Sequence, residues 1–592
     1  MRKIKFVDQT IRDAQQSLWA YLMTSDMLMP IAPVMDKVGF EEIATIGSQG
    51  IVIQVRNLHE DPWERIRRLS NVITHTPLRG SYMTASLASF DVDTPRDAIA
   101  LWIKRMAANG IKSFWVCDYQ TDMERFYYFA KLVKEEGGRV IPALMYTFSP
   151  VHNEAHWAQK TRLIVEVKDC VDAIMIEDAG GVINPERTRE LITAVKQNCD
   201  GIPIEFHSHC GVGLAPLCYL EAIQAGADTL HTAVAPLANG TSLPAIENIL
   251  RNTRHLGYTD DIDDTALETM SNHFREIAER EGFPIGIPQE YDVFHFEHQI
   301  PGGMLTNLKR QLGEMKLEHR IDEILKEAVR VRKDFGYPVM ATPFSQIVGA
   351  QAVENVILGE RYKRILDQSI KYIGGHYGEP PGPINPDLMD RIGKMSEAKA
   401  ILNWKPVNRF KPLAQLREEV GSDLTDDEFL LKLLIPGFDP KKQADTTTAS
   451  QASGKDVIRS ASAKRTLIQP AAGFPMEFCV DVDGEEFNVK ISSIGDTGND
   501  SIGEDRTETG SPGNKEALPG AVGPKMAGML VSIKVTPGQV VNEGDLLATI
   551  EAMKMLRDVN APHSGIVKEI FFKEGESLEA DDILMIVEPN NE

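Results

Sequence analysis

The chain has 592 residues, enough for several domains, and carries 63 Lys and Arg against 86 Asp and Glu, a formal net charge of −23. That balance argues against nucleic acid or an anionic membrane surface as the main partner, while leaving room for a locally basic site that takes an anionic substrate. Six cysteines without a Cys-x-x-Cys pair, an N-terminus (Met1 to Asp8) lacking a signal-peptide core, and no apolar run of about 18 residues predict a reducing, cytoplasmic setting, with membrane association only through another subunit.

In chain order, eight short apolar runs read as strands: Ile4 to Asp8, Glu42 to Ile46, Leu78 to Thr84, Ser113 to Asp118, Val140 to Tyr146, Ala173 to Asp178, Ile204 to His209 and Thr229 to Ala235. Each is followed by a helix-like segment, such as Pro62 to Leu69 or Pro185 to Lys196. Eight strand–helix units predict an α/β fold, a (β/α)8 TIM barrel over 1–261; an open doubly wound sheet is the alternative. From 262 to 436 the pattern turns mainly helical, with apolar residues at helical spacing in Ile321 to Phe335 and Pro343 to Leu358. Polar sequence over 437–464 reads as a flexible linker. Within 465–494, alternation from Phe478 to Ile494 around Asp483-Gly484 predicts a β-hairpin.

Within 495–520, which reads as a second, disordered linker, Gly, Ser, Asp and Glu are abundant from Gly495 to Leu518; those roughly 24 flexible residues reach roughly 25–30 Å. The last segment, 521–592, holds an internal repeat of period 37, in which Gly528, Gly538, Val541 and Leu546 recur as Gly565, Gly575, Leu578 and Ile583. Short β-rich runs between its Gly and Pro residues predict a small all-β sandwich with two-fold character. Lys554, in Glu551-Ala552-Met553-Lys554-Met555, falls between the halves, where a hairpin would expose it. Two flanking methionines are a poor choice for plain solvated surface.

In a barrel, chemistry gathers at the C-terminal ends of the strands. Asp13 follows the first strand, Asp118 closes the fourth, Glu177 and Asp178 close the sixth, and His207-Ser208-His209 closes the seventh. Residues two apart on a strand share a face, so two imidazoles there can bind one metal. Imidazoles with carboxylate oxygens suit Zn²⁺ or Mn²⁺ and suit Ca²⁺ poorly. The alternative is a pair of histidines hydrogen-bonded in a polar barrel mouth.

The stretch from Gly523 to Val587 resembles the biotin carboxyl carrier family; lipoyl domains are similar in fold, and the methionines beside Lys554 favour biotin. Residues 1 to about 436 resemble the carboxyltransferase subunit of pyruvate carboxylases and oxaloacetate decarboxylases. The matching stretches include Arg12-Asp13-Ala14, Glu60-Asp61-Pro62-Trp63-Glu64-Arg65, Ser149-Pro150-Val151-His152, His207-Ser208-His209-Cys210, Gly240-Thr241-Ser242, Pro301-Gly302-Gly303 and Thr342 to Gly349. This resemblance implies biotin-dependent transfer of CO₂ between carboxybiotin on Lys554 and an enolisable 2-oxo acid. It implies a divalent metal on Asp13, His207 and His209, a substrate held by Arg12 and Gln16, and a proton passed between substrate and biotin by Thr306. It also implies a biotin protein ligase, a homo-oligomer, and a partner: a separate ATP-dependent biotin carboxylase subunit, or the membrane subunit of a sodium-pumping decarboxylase.

Four positions depart from the family pattern. Gln15 replaces a His in the first motif, and Thr121 replaces an Asn near Asp118. Glu177 stands where the family carries a carbamylated Lys that binds the metal; its carboxylate can offer similar oxygens, so it joins the expected metal ligands. Met83 stands where the family carries a substrate-binding Arg, and Arg79 lies four residues earlier, roughly 13 Å away along a strand. Together with Tyr119, Met83 predicts a larger or less polar acceptor. A metal-dependent carbon–carbon lyase of the same barrel superfamily and a degenerate carrier scaffold are the other readings; Lys554 speaks against the first, and Asp13, His207, His209 and Thr306 against the second.

Overall fold

The structure is a computed structural model. It describes residues 2–48, 50–87, 94–118, 122–301, 304–305, 308–309, 312–313, 317–403, 409–435, 438, 476–482, 485–491, 520–524, 528–552, 555–578 and 582–589. Strands β1 (Lys5–Asp8), β2 (Glu42–Gly47), β3 (Leu78–Met83), β4 (Ile111–Cys117), β5 (Arg139–Met145), β6 (Ile174–Asp178), β7 (Ile204–Ser208) and β8 (Thr229–Thr232) close into one parallel barrel. Pairing of Lys5 with Thr229 and Val7 with His231 joins the last strand to the first, which excludes the open sheet. Almost every strand residue is buried, as a sheet covered on both faces requires. The crossover helices begin where the sequence places caps. Asp61 accepts from the Trp63 amide ahead of Pro62–Val72, and Asn184 from the Arg187 amide ahead of Pro185–Asn198.

Helices Ile321–Asp334 and Phe344–Leu358 pack on each other. Their Val331, Phe344 and Ile347 share one apolar cluster with Met83, Trp115, Cys117, Ala143, Met145 and Met175 of β3 to β6. The helical region therefore covers inward-facing strand residues. Packing divides the chain differently from the expected boundary at 261/262. Helix Asp264–Glu281 buries Leu267, Met270, Phe274 and Ile277 in the barrel's outer core. So does the pair Leu413–Val420 and Asp426–Leu434, through Leu416, Phe429, Leu430 and Leu431. An apolar stripe on a helix announces burial without naming the surface it meets.

Where the hairpin is predicted, β9 (Met476–Val482) and β10 (Glu485–Ile491) pair antiparallel from Val482 opposite Glu485; Asp483 and Gly484 lie outside the described residues. At the C-terminus two four-stranded sheets form a sandwich: β11 (Ala521–Val522), β18 (Met585–Pro589), β16 (Gly565–Ile570) and β13 (Val540–Val541) face β15 (Met555–Asn560), β14 (Leu546–Ala552), β12 (Gly528–Ile533) and β17 (Ser577–Leu578). The repeat is a repeat of core positions: Leu530 and Val567, Val541 and Leu578, Leu547 and Leu584 are all buried. One expected match shifts by a residue, since Leu546 is 37% exposed and Leu547 is the buried one. Among the described residues no helix is long and apolar enough to cross a membrane.

Candidate active site

Just past β1, a wide turn over Thr10–Ala14 brings the amides of Asp13 and Ala14 back to the Gln9 carbonyl and turns the Asp13 side chain into the barrel mouth. His207 lies on β7 and His209 one residue beyond its end. The ligand atoms of Asp13, His207 and His209 all lie within 4.8 Å of one another, and all three residues are buried. His207 Nε2 stands 3.5 Å from Asp13 Oδ2, and His209 Nε2 stands 3.3 Å from Oδ1. His209 Nδ1 faces the Thr241 carbonyl at 2.7 Å and so carries a proton. His207 Nε2 is buried with no hydrogen-bond partner.

Burial holds the His207 imidazole well below its ordinary value and therefore neutral. Burial alone would raise the Asp13 carboxyl, but His209 and Arg12 pull it far below the usual carboxylate range. Two imidazoles and a carboxylate around an orphaned nitrogen form a donor set that fits a divalent transition metal.

Around this centre, Arg12 bonds Asp13 at 2.5 Å and lies 4.2 Å over the Trp115 ring, and its Nε is buried without a partner. Gln16 likewise keeps an unpartnered, buried Oε1. Both are free to meet a ligand. Gln15 does something else: its amide donates to the Ile11 carbonyl and accepts from the Met23 amide, which fixes the turn that carries Asp13.

Glu177 pairs in register with His207, yet it stands outside the group of three converging ligands, and its Oε2 has no partner. Burial pushes its carboxyl up to about 8, with Arg12 opposing and Asp13 adding to the shift. Met83 is buried in the apolar cluster with Trp115, Cys117 and Met145, so the wall that carries an Arg in the resembling family is hydrophobic in this chain. Arg79 is no substitute. It is fully buried below the mouth, bound to Glu42 and in a fork to Glu205 at 2.6 and 2.9 Å. Asp118 is engaged by Arg125 at 2.9 Å and Thr84 at 2.6 Å. Thr306, Tyr119, Thr121 and Lys554 lie outside the described residues. The strands flanking Lys554 are paired, Ala552 opposite Met555.

Sequence reasoning did not single out Gln9, Glu42, Glu205 and His231, which line the barrel interior beneath the mouth. A signal existed in the alternation Glu205-x-His207, which puts both side chains on one face.

Three family descriptions match consecutive parts of the chain: "HMGL-like" over residues 3–273, "Conserved carboxylase domain" over 296–492 and "Biotin-requiring enzyme" over 519–587. A pyruvate carboxylase subunit from Methanocaldococcus jannaschii is 35% identical over 93% of this chain and 94% of its own length. The chain belongs to the biotin-dependent carboxyltransferase family that includes this protein and its counterpart from Methanothermobacter thermautotrophicus. It is an enzyme of that type, with a C-terminal domain of the biotin-requiring class.

Within the family the chain is also similar to the 2-oxoglutarate carboxylase large subunit of Hydrogenobacter thermophilus, at 31% identity over 95% of this chain and 91% of that protein. The carboxyl transferase domain of Rhizobium etli pyruvate carboxylase, solved with oxamate and biotin, superimposes with a TM-score of 0.66 at 23% identity, covering 76% of this chain and 78% of that one. That likeness establishes the shared fold. The chain spans about half of two longer pyruvate carboxylases: 54% of the Bacillus subtilis protein and 44% of a Rhizobium etli chain.

Proposed function

We propose that this chain is the carboxyltransferase subunit of a multi-subunit carboxylase, and that it moves a carboxyl group between biotin on Lys554 and a monocarboxylic 2-oxo acid. The reading rests on the convergence of Asp13, His207 and His209 on the unpartnered His207 Nε2, beneath the free polar atoms of Arg12 and Gln16. Asp13, His207 and His209 would hold a divalent metal, Zn²⁺ or Mn²⁺, with the Glu177 carboxyl beside them but outside the group of converging ligands. Bound there, the metal supplies Lewis acidity toward the acceptor's carbonyl oxygen.

Arg12, braced by Asp13 and Trp115, takes the acceptor's carboxylate, and Gln16 fixes its orientation. Thr306, whose hydroxyl both donates and accepts, passes the proton between acceptor and biotin. The cluster of Met83, Trp115, Cys117 and Met145 keeps water from the reacting groups and favours an apolar tail over a second carboxylate. A separate ATP-dependent subunit carboxylates the biotin, in keeping with the subunit designation of the relatives.

The test is reconstitution of the biotinylated chain with a biotin carboxylase subunit, ATP and bicarbonate, with 2-oxo acids offered in turn. Pyruvate and 2-oxobutyrate are expected to show a higher kcat/KM than 2-oxoglutarate, and Lys554→Ala to abolish both biotin incorporation and transfer. A preference for 2-oxoglutarate would overturn the acceptor assignment.

A further inference from the structure

The interior of the barrel below the mouth is polar and continuous. His207 Nδ1 lies 3.2 Å from His231 Nδ1, and His231 Nε2 lies 2.9 Å from Glu205 Oε2. Glu205 is held in turn by the Arg79 fork, and Arg79 reaches Glu42, which binds Arg139. His207, His231, Arg79 and Glu42 have fully buried side chains, and Glu205 is nearly so.

Two groups face His231 Nε2, Glu205 Oε2 at 2.9 Å and Arg79 Nη1 at 3.4 Å, and the closer carboxylate sets the protons. A carboxylate oxygen facing His231 Nε2 demands a proton on that nitrogen. The Gln9 side-chain nitrogen, which can only donate, lies 2.9 Å from His231 Nδ1, so that nitrogen is the ring's lone pair. Two donors meet at that lone pair: the Gln9 side-chain amide at 2.9 Å and His207 Nδ1. With its proton on Nδ1, His207 leaves Nε2, which has no hydrogen-bond partner, as the nitrogen facing Asp13.

We infer that His231, anchored by Glu205 and Arg79, is a positioning residue that locks His207 in the Nδ1-protonated tautomer and so presents Nε2 to the metal. The inference rests on the metal reading of the Asp13, His207 and His209 site. It extends to the strand below the principle that the second nitrogen of a ligating histidine is held by a partner outside the coordination shell.

Zinc binding to the full, metal-free chain tests it, with two replacements that separate orientation from packing. His231→Leu fills the space without an acceptor and is expected to weaken zinc binding roughly 10–100-fold. His231→Asn leaves a gap but restores an acceptor near the Nδ1 position, and is expected to recover most of that loss. A packing role predicts the reverse order, and that order, or unchanged binding in His231→Leu, would overturn the inference.

A second measurement needs no His231 variant to fold. Imidazole ¹⁵N spectra of the unaltered metal-free chain, assigned with His207→Asn, should show His207 protonated on Nδ1; protonation on Nε2 would refute the lock. If the unaltered chain takes up no zinc, the metal reading fails, while the spectra still decide the tautomer.

Discussion

Glu177 is buried beside Asp13 and His209, and its carboxyl titrates near 8 because burial outweighs the help it receives from Arg12. In an unfolded chain a glutamate titrates near ~4.3. Between those values the folded protein keeps the proton and the unfolded chain has lost it, so stability falls as pH rises from about 4.3 to 8 and levels off above. Glu177→Gln removes this term. In metal-free protein the variant is expected to melt higher than the parent, by a margin that widens between pH 5 and pH 8; a margin constant across that range would show that Glu177 is already ionised.

Met83 invites a complementary experiment. Met83→Leu is volume-conserving and should cost less than about 1.5 kcal/mol in chemical denaturation. Met83→Lys places an unpaired charge in the same apolar cluster and should cost more than Met83→Leu. Equal losses would mean that water reaches this wall.

At the scale of elements, helix Asp426–Leu434 shows which force returns the chain to the barrel after the helical region. Asp427 meets Arg105 at 2.7 Å and Arg67 at 3.1 Å, and its carbonyl accepts from the Trp63 indole at 3.2 Å. The two arginines are 28% and 39% exposed, which limits such ion pairs to about 1 kcal/mol or less. Phe429, fully buried in the barrel's outer core, outweighs them. Phe429→Ala is expected to cost about 3–5 kcal/mol in chemical denaturation and Asp427→Ala about 1, with the order reversed only if the clasp is electrostatic.

This element also marks the reach of sequence reading. The eight strands and the 37-residue repeat of the C-terminal sandwich were legible because strand length, glycine placement and alternation are local. The return of 413–435 to the barrel was not, because its apolar stripe fits any complementary surface. The Arg79–Glu205–His231 column was not either, since strand alternation gives a face and only closure of the barrel brings three strands' polar residues together. At the site, Asp13, His207 and His209 were readable from their strand ends, whereas Gln15 passed for a departure in the site and proves to be a brace of the turn.

For the molecule as a whole, the cores are separate. The C-terminal sandwich packs Val522, Leu530, Val541, Leu547, Ile550, Val567, Leu584 and Val587 into a cluster of its own, distinct from the two clusters of the barrel and helical region. Its sheets draw all their strands from 521–589, so among the described residues no hydrogen-bonded ladder joins it to the barrel. A domain of that length can bury enough apolar surface to fold alone. The full chain should therefore unfold in more than one calorimetric transition, the behaviour of bodies that lack a shared core. Residues 518–592 expressed alone should fold, accept biotin from a biotin protein ligase, and melt within a few degrees of one of those transitions. The remaining chain, residues 1–517, should keep its own transition and its zinc affinity while losing carboxyl transfer. A single transition in the full chain, or a carrier fragment that stays unfolded, would mean that the barrel and carrier stabilise each other, and delivery of the arm would then require breaking that contact at every turnover.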